Sequence, residues 1–343
     1  MREAVALDFG SYPTPLRKIE GASGETHEIW IKDDGQSGLL YGGNKVRKLE
    51  RLLRLAQQRG AKRLLTIGAA GSHHVLATCL FGRSIGLTTR AVLSPQPWSP
   101  HAEATLRAGL NAGLSAAPAA SGISALRLFR AERRVGDFII GPGGLGLEGT
   151  WSYRLAVDEL RDQSTQIGVA GFDAIFVAAG SGSTAAGLLA GVLETSIAQR
   201  VIAVRVAANP GLRSLILGQA LYALWRRGRS APPFAAWRAL EIEERFVGKG
   251  YGHPSEEGNH AAKLARSFGL ELEPTYTAKT FAAVLERTRS AAPVNDQHKH
   301  RLHRRRTYLY WHTLSAVPLA ALLVGAPDAL PDELAQLLCK PYV

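Results

Sequence analysis

Short apolar runs alternate with amphipathic segments along most of the chain. The apolar runs predict strands at 28–32, 64–67, 89–93, 138–140, 173–178, 200–206 and 307–311, the last of them central in its sheet. Apolar residues at helical spacing predict helices at 75–85, 102–112, 123–134, 146–161, 184–196, 212–225 and 256–268. Buried strands that alternate with helices are typical of a mostly parallel sheet covered on both faces. The pattern therefore predicts an α/β protein.

The clearest amphipathic helix begins at Lys45, directly after Gly42, Gly43 and Asn44. Its apolar residues recur at helical spacing from Leu49 onward, and the charges between them predict one apolar and one charged face. A lysine in the first turn is unfavourable against the helix dipole. Lys45 therefore either points into solvent or is held there for its amine, and the local pattern does not separate these two interpretations.

Length and composition set the class. A chain of 343 residues is comfortable for two domains, and 46% hydrophobic with 20% charged residues is typical of a globular protein. The 36 glycines and the mixed helix and strand signals favour the α/β class. The formal net charge of +12 favours binding of anionic ligands or of a polyanionic surface. A phosphate and a carboxylate are sufficient anions for a small-molecule enzyme.

The sequence predicts a cytoplasmic protein with no membrane contact. Cys79 and Cys339 lie far apart and outside any metal-ligand spacing, which favours a reducing compartment. The first ten residues contain acids and no long apolar core, unlike a secretion signal. The longest apolar stretch, around 314–325, is too short to span a bilayer, and we expect it to form a buried helix.

A glycine-rich loop follows the predicted strand 64–67. It reads Gly68-Ala-Ala-Gly-Ser-His-His74, and a predicted helix comes next. Doubly wound folds bind anions at such loops, because free backbone N–H groups and the helix dipole converge there. Many loops of this kind only turn the chain, so the signal is weak by itself.

A second glycine-rich loop follows the apolar run 174–179 and carries a stronger signal. It reads Gly180-Ser-Gly-Ser-Thr-Ala-Ala-Gly187, which combines backbone access with the hydroxyls of Ser181, Ser183 and Thr184. The loop lacks the lysine of a nucleoside-triphosphate loop and the spacing of a dinucleotide site. A small phosphate is the predicted ligand, and an ordinary strand-to-helix turn is the alternative.

Three further residues lie in segments with no decisive chemistry of their own. Tyr251 and Tyr276 each occupy a predicted turn, where tyrosine is more often a packing residue than an acid or base. Thr313 follows the last predicted strand, and a β-branched residue needs no functional explanation there.

The run 298–306 is basic and rich in histidine. It contains no aromatic residue for base stacking, and no thiolate or carboxylate for structural zinc lies near it. We interpret it as a solvated loop, with a polyanion contact as the alternative.

These motifs together resemble the pyridoxal-phosphate enzymes that include D-cysteine desulfhydrase and 1-aminocyclopropane-1-carboxylate deaminase. The segment Gly-Gly-Asn-Lys-x-Arg-Lys-Leu-Glu is the strongest match, and the resemblance covers about 12–321. It implies the tryptophan synthase β-like fold, with two domains of twisted, mostly parallel sheets flanked by helices. Residues 1–45 and 151–343 would form the large cofactor-binding domain and 46–150 a smaller inserted domain, with the cofactor between them.

The resemblance also implies a role for each motif residue. Lys45 would form a Schiff base with pyridoxal 5'-phosphate and move the substrate's α-proton, because a partly desolvated amine can lose its own proton. The implied cofactor contacts are Asn44, Lys45, His73, Gly180, Ser181, Gly182, Ser183, Thr184 and, at the pyridine nitrogen, Thr313. The implied substrate contacts are Ser72, His74, Tyr251 and Tyr276, and Ser72 and the two tyrosines are also candidate catalytic groups.

Several positions depart from the family pattern. Near Ser72 the chain has Gly71, His73 and Leu76 where the family has Gln, Asn and often Arg. Ser183 replaces a glycine of the phosphate loop, Leu314-Ser315 replaces Gly-Gly after Thr313, and Thr277 stands where ring-opening members carry Glu.

The activity implied is that of a lyase or deaminase in amino-acid metabolism. It would remove the α-proton of a small amino acid, eliminate a β-substituent and release a 2-oxo acid and ammonia, as D-cysteine desulfhydrase does. Ring opening, β-replacement and racemisation are alternatives on the same scaffold, and a non-catalytic relative that binds the cofactor or a polyanion is another. We expect a small amino-acid substrate and a homodimer, and neither a metal nor a nucleic-acid partner.

Overall fold

Strands and helices alternate through the residues that the computed structural model describes, 7–24, 26–290 and 305–339. The strands are β1 (Leu16–Lys18), β2 (His27–Asp33), β3 (Arg63–Ala69), β4 (Thr88–Ser94), β5 (Gln96–Pro97), β6 (Ser115–Pro118), β7 (Asp137–Ile139), β8 (Ala174–Ala179), β9 (Val201–Arg205), β10 (Leu240–Glu243), β11 (Arg306–His312) and β12 (Leu338–Cys339). All seven predicted strands are present. The α/β class is therefore confirmed.

The helices are α1 (Lys45–Gln58), α2 (His73–Ser84), α3 (Pro100–Asn111), α4 (Gly122–Ala131), α5 (Leu147–Gln166), α6 (Ser183–Thr195), α7 (Leu212–Arg226), α8 (Pro233–Ala239), α9 (Glu256–Arg266), α10 (Thr277–Ser290), α11 (Leu319–Leu322) and α12 (Asp332–Ala335). Each predicted helix has a counterpart among them. Within the described residues, no helix combines the length and the apolar character needed to cross a membrane.

The chain divides into two compact units. Unit 1 comprises Met1–Tyr12, Gly35–Gly149 and Ser315–Val343, and unit 2 comprises Pro13–Asp34 and Thr150–Leu314. Residues 35–45 thus belong to the same unit as helix α1. That 46–150 form an inserted domain within a larger one of 1–45 and 151–343 stays a prediction.

Unit 1 contains a four-stranded sheet in the order β6, β4, β3, β7, and all of its strand pairs are parallel. Neighbouring residues of β3 point to opposite faces, as the pleat requires. Leu64 packs with α1 and α2 residues such as Leu49 and Phe81, whereas Leu65 packs with Phe129 of α4. Both faces of this sheet are therefore covered by helices.

Unit 2 contains a six-stranded sheet in the order β1, β2, β11, β8, β9, β10, in which only the β1–β2 pair is antiparallel. Strand β11 lies between β2 and β8, so its central position is confirmed. Consecutive residues from Tyr308 to Trp311 are all buried, which explains why this strand shows no alternation of apolar and polar residues.

Two glycines let α6 approach α5 closely in unit 2. A Cβ atom on Gly187 would lie 2.3 Å from the Thr150 carbonyl oxygen, and one on Gly191 would lie 2.5 Å from the Val157 side chain. Only glycine fits at either position. This packing fixes the N-terminus of α6 at the end of β8.

Two expectations were wrong. Arg47 and Lys48 of α1 are buried although the pattern placed them on the charged face, opposite the apolar one. The stretch 314–325 is no buried helix: only the four residues of α11 are helical, none of them is buried, and Pro318 precedes them. Residues 298–304 of the basic run lie outside the described part of the chain.

Candidate active site

The loop before Lys45 is held by contacts that only glycine permits. A Cβ on Gly42 would lie 1.8 Å from the Gly35 carbonyl oxygen, and Gly43 has φ +85°. The Gly42 N–H donates to Ser315 Oγ at 2.8 Å, so the serine that replaces a family glycine anchors this loop. Lys45 is half-buried, and its amine donates to Asn44 Oδ1. These contacts place the Lys45 amine at the start of α1.

The other charged residues of the motif brace α1. Lys48 is buried and its amine donates to the Gly143 carbonyl at 3.1 Å. Burial, followed by the charge of Lys45, lowers the pKa of Lys48 well below its ordinary value. The Glu50 carboxylate accepts from the N–H of Phe9 and of Gly10, at 3.1 and 2.7 Å. Lys45 is thus the less buried of two lysines, and Lys48 has a bracing contact of its own.

Ser72 and His74 are held at the N-terminus of α2. Ser72 is the N-cap, and its hydroxyl accepts from the Val75 N–H at 3.4 Å. His74 is buried, with Nε2 3.0 Å from Thr66 Oγ1; because that hydroxyl donates to the Ile140 carbonyl, His74 donates through Nε2. Burial, then Lys45 and Lys48, lowers the pKa of His74 well below its ordinary value, so the ring is neutral.

Gly71 has a compensating neighbour. A Cβ at this position would lie 2.6 Å from Ala102 and 2.8 Å from Gln96 Nε2. The Gln96 side-chain oxygen accepts from the Gly71 N–H at 2.9 Å. The Gln96 side-chain amide of β5 therefore occupies the space that a side chain at position 71 would need, where the family has glutamine. No residue larger than glycine fits at position 71.

His73 contacts two side chains that the sequence did not single out. Its Nδ1 hydrogen-bonds the hydroxyl of Tyr41, and its Nε2 lies 2.7 Å from Nε2 of His101 at the start of α3. Burial, then His101 and Lys45, lowers the pKa of His73 well below its ordinary value. Unit 1 therefore brings together Lys45, His73 and His74, and adds Tyr41 and His101 to them.

The phosphate loop of unit 2 joins β8 to α6. Gly182 is the N-cap of α6 and has φ +78°, and a Cβ there would lie 2.8 Å from Ile216. Ser183 and Thr184 are buried in the first turn. The Ser183 hydroxyl is buried and has no hydrogen-bond partner among the residues that the structure describes. A buried donor at a helix N-terminus fits a phosphate oxygen, because it would supply the missing partner.

The two tyrosines lie together beside this loop. The Tyr276 hydroxyl donates to that of Tyr251 at 3.0 Å, and a Cβ on Gly180 would lie 3.4 Å from the Tyr276 ring. Burial raises the pKa of Tyr251 to about 12, and burial with Tyr251 beside it raises the pKa of Tyr276 well above its ordinary value. Both are therefore neutral hydroxyls at ordinary pH.

Glu273, which the sequence did not single out, holds the turn that contains Tyr276. Its carboxylate accepts hydrogen bonds from the backbone N–H groups of Thr275, Tyr276 and Thr277.

Thr313 follows β11, and a hydrogen bond to Asp34, the residue after β2, holds the end of this strand. The Trp311 indole N–H donates to the buried Asp34 carboxylate at 2.7 Å. Because β11 and β8 are parallel neighbours, Thr313 and the phosphate loop leave the same edge of the sheet. Unit 2 therefore collects the phosphate loop, both tyrosines and Thr313 at one end of its strands.

Comparison with known proteins decides the family. The sequence profile of the family described as "Pyridoxal-phosphate dependent enzyme" matches residues 7–297. The chain belongs to the pyridoxal-phosphate dependent enzymes. The family resemblance read from the motifs is thereby confirmed, and so is the cofactor.

Three known proteins illustrate what the chain is similar to. D-cysteine desulfhydrase of Salmonella typhimurium is 30% identical over 296 residues, which cover 82% of this chain and 87% of that protein. The crystal structure of an ACC deaminase homologue has a TM-score of 0.74 and 26% identity, and covers 94% of this chain and 100% of that one. A fungal L-serine ammonia-lyase from Rhizomucor miehei has a TM-score of 0.61, with 90% of this chain and 96% of that chain covered; at 17% identity it supports the fold alone.

The residues present fit the family's cofactor. The unpartnered Ser183 hydroxyl, the left-handed Gly182 and the helix end suit a phosphate. The half-buried Lys45 amine suits covalent attachment of an aldehyde.

Proposed function

We propose that this enzyme eliminates the β-substituent of a small amino acid and releases a 2-oxo acid and ammonia, as its D-cysteine desulfhydrase relatives are named for doing. The observation that carries the proposal is the Lys45 amine, oriented by Asn44 and surrounded by His73, His74 and Lys48, whose pKa values burial lowers. Surroundings that disfavour positive charge on these side chains also favour a Lys45 amine that can lose its proton.

The bound cofactor supplies an electron sink for the substrate's α-carbon. In this proposal Lys45 carries the cofactor and takes the α-proton. Ser181, Ser183 and Thr184 hold the phosphate with the N–H groups of Gly180 and Gly182, and Asn44 and His73 contact the cofactor. Ser72 and the backbone N–H of His74 would orient the substrate carboxylate. Tyr251 and Tyr276 would line the substrate site as neutral hydroxyls, and Tyr251, which accepts from Tyr276, would donate the hydrogen bond to the substrate. Thr313 would contact the pyridine nitrogen.

A screen of D- and L-amino acids for release of 2-oxo acid and ammonia tests this function. We expect turnover of cysteine, serine or β-chloroalanine in one handedness only. The proposal fails if the cofactor-loaded protein releases neither product from any small β-substituted amino acid.

We further propose that the enzyme is a cytoplasmic homodimer that pairs through α7 and α8. Tyr222, Trp225, Phe234 and Trp237 of these helices are 48–69% exposed, and Arg213 and Arg238 stack on two of the rings. Monomers rarely expose such apolar patches, and aromatic residues and arginine are enriched at protein interfaces.

Light scattering tests the dimer. The expected mass is twice 36.8 kDa for the wild type, and Trp225→Ser with Trp237→Ser should shift it toward one chain. A wild-type protein that stays monomeric at micromolar concentration contradicts this part of the proposal.

A further inference from the structure

Tyr41, His73 and His101 form a continuous line of hydrogen bonds in unit 1. The Tyr41 hydroxyl hydrogen-bonds Nδ1 of His73, and the Nε2 atoms of His73 and His101 are 2.7 Å apart. Both nitrogens of the His73 ring are therefore engaged. Family members have asparagine in place of His73, and an amide cannot pass a proton from one end to the other.

The nitrogen pair fixes how many protons the line holds. Two Nε2 atoms at 2.7 Å share one proton, since two N–H groups pointing at each other would clash. If His73 donates at Nε2, then its Nδ1 accepts from Tyr41; if His101 donates, then His73 donates to Tyr41. The tautomers of the two rings and the direction of the tyrosine bond are thus coupled.

The line runs from the interior toward the surface. Tyr41 is 2% exposed, whereas His73 and His101 are only half-buried. His101 lies in the first turn of α3, where Ser99 caps the helix and Thr105 donates to the His101 carbonyl at 2.7 Å. The outer end of the line is therefore held on a capped helix.

The line comes near Lys45 at His73. Tyr41 precedes Lys45 by four residues in the sequence, across the fixed turn at Gly42 and Gly43. Lys45 is close enough to His73 to lower its pKa, together with burial and His101. His73 is consequently neutral at ordinary pH, with one donor and one acceptor nitrogen, as proton transfer through the ring requires.

We propose that Tyr41, His73 and His101 are a proton relay that connects solvent with the Lys45 site and supplies the proton that the departing β-substituent needs. This inference rests on the proposed elimination. The relay depends on His73 and on the second histidine that contacts it.

The transfer balances as one proton entering and one leaving. In the starting state His101 donates at Nε2 to His73, and His73 donates at Nδ1 to Tyr41. A solvent proton binds His101 Nδ1, the Nε2 proton moves to His73, the Nδ1 proton moves to Tyr41 oxygen, and the tyrosine proton moves to the leaving group. Each side chain gains one proton and loses one: the two rings gain it at one nitrogen and lose it at the other, and Tyr41 gains and loses it at its oxygen. Both rings end as the opposite tautomer, and return transfers with solvent reset them.

Nitrogen NMR of the cofactor-free protein tests the hydrogen-bonded line without any turnover. With ¹⁵N-labelled histidine we expect a coupling between Nε2 of His73 and Nε2 of His101 across their shared proton. Tyr41→Phe should shift the tautomer ratio of His73, and His260→Gln, an exposed histidine on α9, should change neither signal. Absence of the coupling in a folded protein overturns the relay whatever the enzyme turns over.

Kinetics test what the line does. With serine or cysteine, whose leaving group takes up a proton, we expect His101→Ala to lower kcat by about tenfold with KM unchanged, since water replaces the outer relay group poorly. Added imidazole should restore the rate, and the curved dependence of the rate on the D₂O fraction should become linear. His73→Asn should show the same loss without rescue, and His260→Ala should match the wild type.

The outcomes separate the relay from the proposed function. If His101→Ala keeps the wild-type kcat and isotope dependence, the relay is wrong and the elimination stands. If no amino acid yields a 2-oxo acid, the elimination is wrong. The nitrogen coupling between His73 and His101 in the cofactor-free protein then still decides the hydrogen-bonded line, and its absence overturns the relay.

Discussion

Two lysines three residues apart have opposite surroundings. Lys45 and Lys48 both belong to the same motif and are indistinguishable by residue type. In the structure Lys48 is 2% exposed and bonded to the Gly143 carbonyl, whereas Lys45 is half-buried and oriented by Asn44. Which amine carries chemistry is thus decided by the turn before α1 and by the segment at 142–144.

Lys45→Ala should abolish covalent cofactor attachment and turnover while leaving the fold intact. Lys45→Arg should behave in the same way, because a guanidinium stays protonated and cannot react with an aldehyde. Borohydride reduction followed by peptide mass analysis locates the attachment. Lys48→Met is the matched comparison and should keep the modification on Lys45. Modified peptide in the Lys45 variants would assign the anchor elsewhere.

His312 makes stability depend on pH. Burial lowers its pKa from 6.5 to about 4, against the opposing charges of Asp33 and Asp34. Between these values the unfolded chain binds a proton that the folded protein does not. The free energy of unfolding therefore falls as the pH is lowered from about 6.5 to 4, by about 3 kcal/mol from this residue.

Urea unfolding of the wild type and of His312→Gln across this pH range measures that contribution. The variant should lose less stability on acidification, and the difference between the two curves isolates His312 from the other buried histidines. Parallel curves would show that His312 is protonated in the folded protein near its ordinary pKa.

At the scale of elements, the pattern predicted most of the buried strands and helices. It predicted seven strands and missed the short strands β1, β5, β10 and β12. The prediction lacks β6, because its residues Ser115–Pro118 include no large side chain and only pairing with β4 makes them a strand. It also lacks α10, although Phe281, Val284 and Leu285 follow helical spacing and are buried, so that signal was available.

At the start of α6, one substitution should weaken cofactor binding without lowering the stability of the cofactor-free protein. The Ser183 hydroxyl is buried without a partner, so Ser183→Ala should leave the cofactor-free protein at least as stable. The same change removes a donor to a phosphate and should weaken pyridoxal-phosphate binding by about tenfold. Fluorescence titration gives the affinity and thermal unfolding gives the stability.

Ser164→Ala on α5 is the matched control. Its hydroxyl is also buried without a partner, so its removal should affect stability similarly and leave cofactor affinity unchanged. Thr184→Val tests the adjacent donor and should weaken binding as well. Equal affinities in Ser183→Ala, Thr184→Val and wild type would place the phosphate away from this loop.

At the scale of the whole molecule, the motifs predicted the candidate groups but not their contacts. Tyr41, His101 and Glu273 carry no local signal, since each gains its role from a neighbour that the fold supplies. His101 contacts His73 only because α3 packs beside α2. Gln96 hydrogen-bonds the Gly71 N–H only because the chain after β4 returns to the loop at Gly71. Such pairs depend on tertiary packing, which a single sequence does not reveal.

The choice of reaction depends on the groups near the cofactor's pyridine nitrogen. Ring-opening members carry glutamate where this chain has Thr277, and Thr277 is engaged by Glu273. Its hydroxyl accepts from the Glu273 N–H at 2.8 Å, and its own N–H donates to the Glu273 carboxylate at 2.8 Å. Thr313, the other candidate, is a neutral hydroxyl. We therefore expect a neutral partner at the nitrogen.

A neutral partner stabilises a proton on the pyridine nitrogen less than a carboxylate does, which limits electron withdrawal. Opening a cyclopropane needs strong withdrawal, whereas loss of a good β-leaving group does not. We expect β-chloroalanine or cysteine of one handedness to yield pyruvate, and 1-aminocyclopropane-1-carboxylate to react at least about a hundredfold more slowly. Parallel assays of pyruvate and 2-oxobutanoate on one preparation make the comparison. Efficient 2-oxobutanoate release would refute the assignment, since the threonines would then support the more demanding reaction.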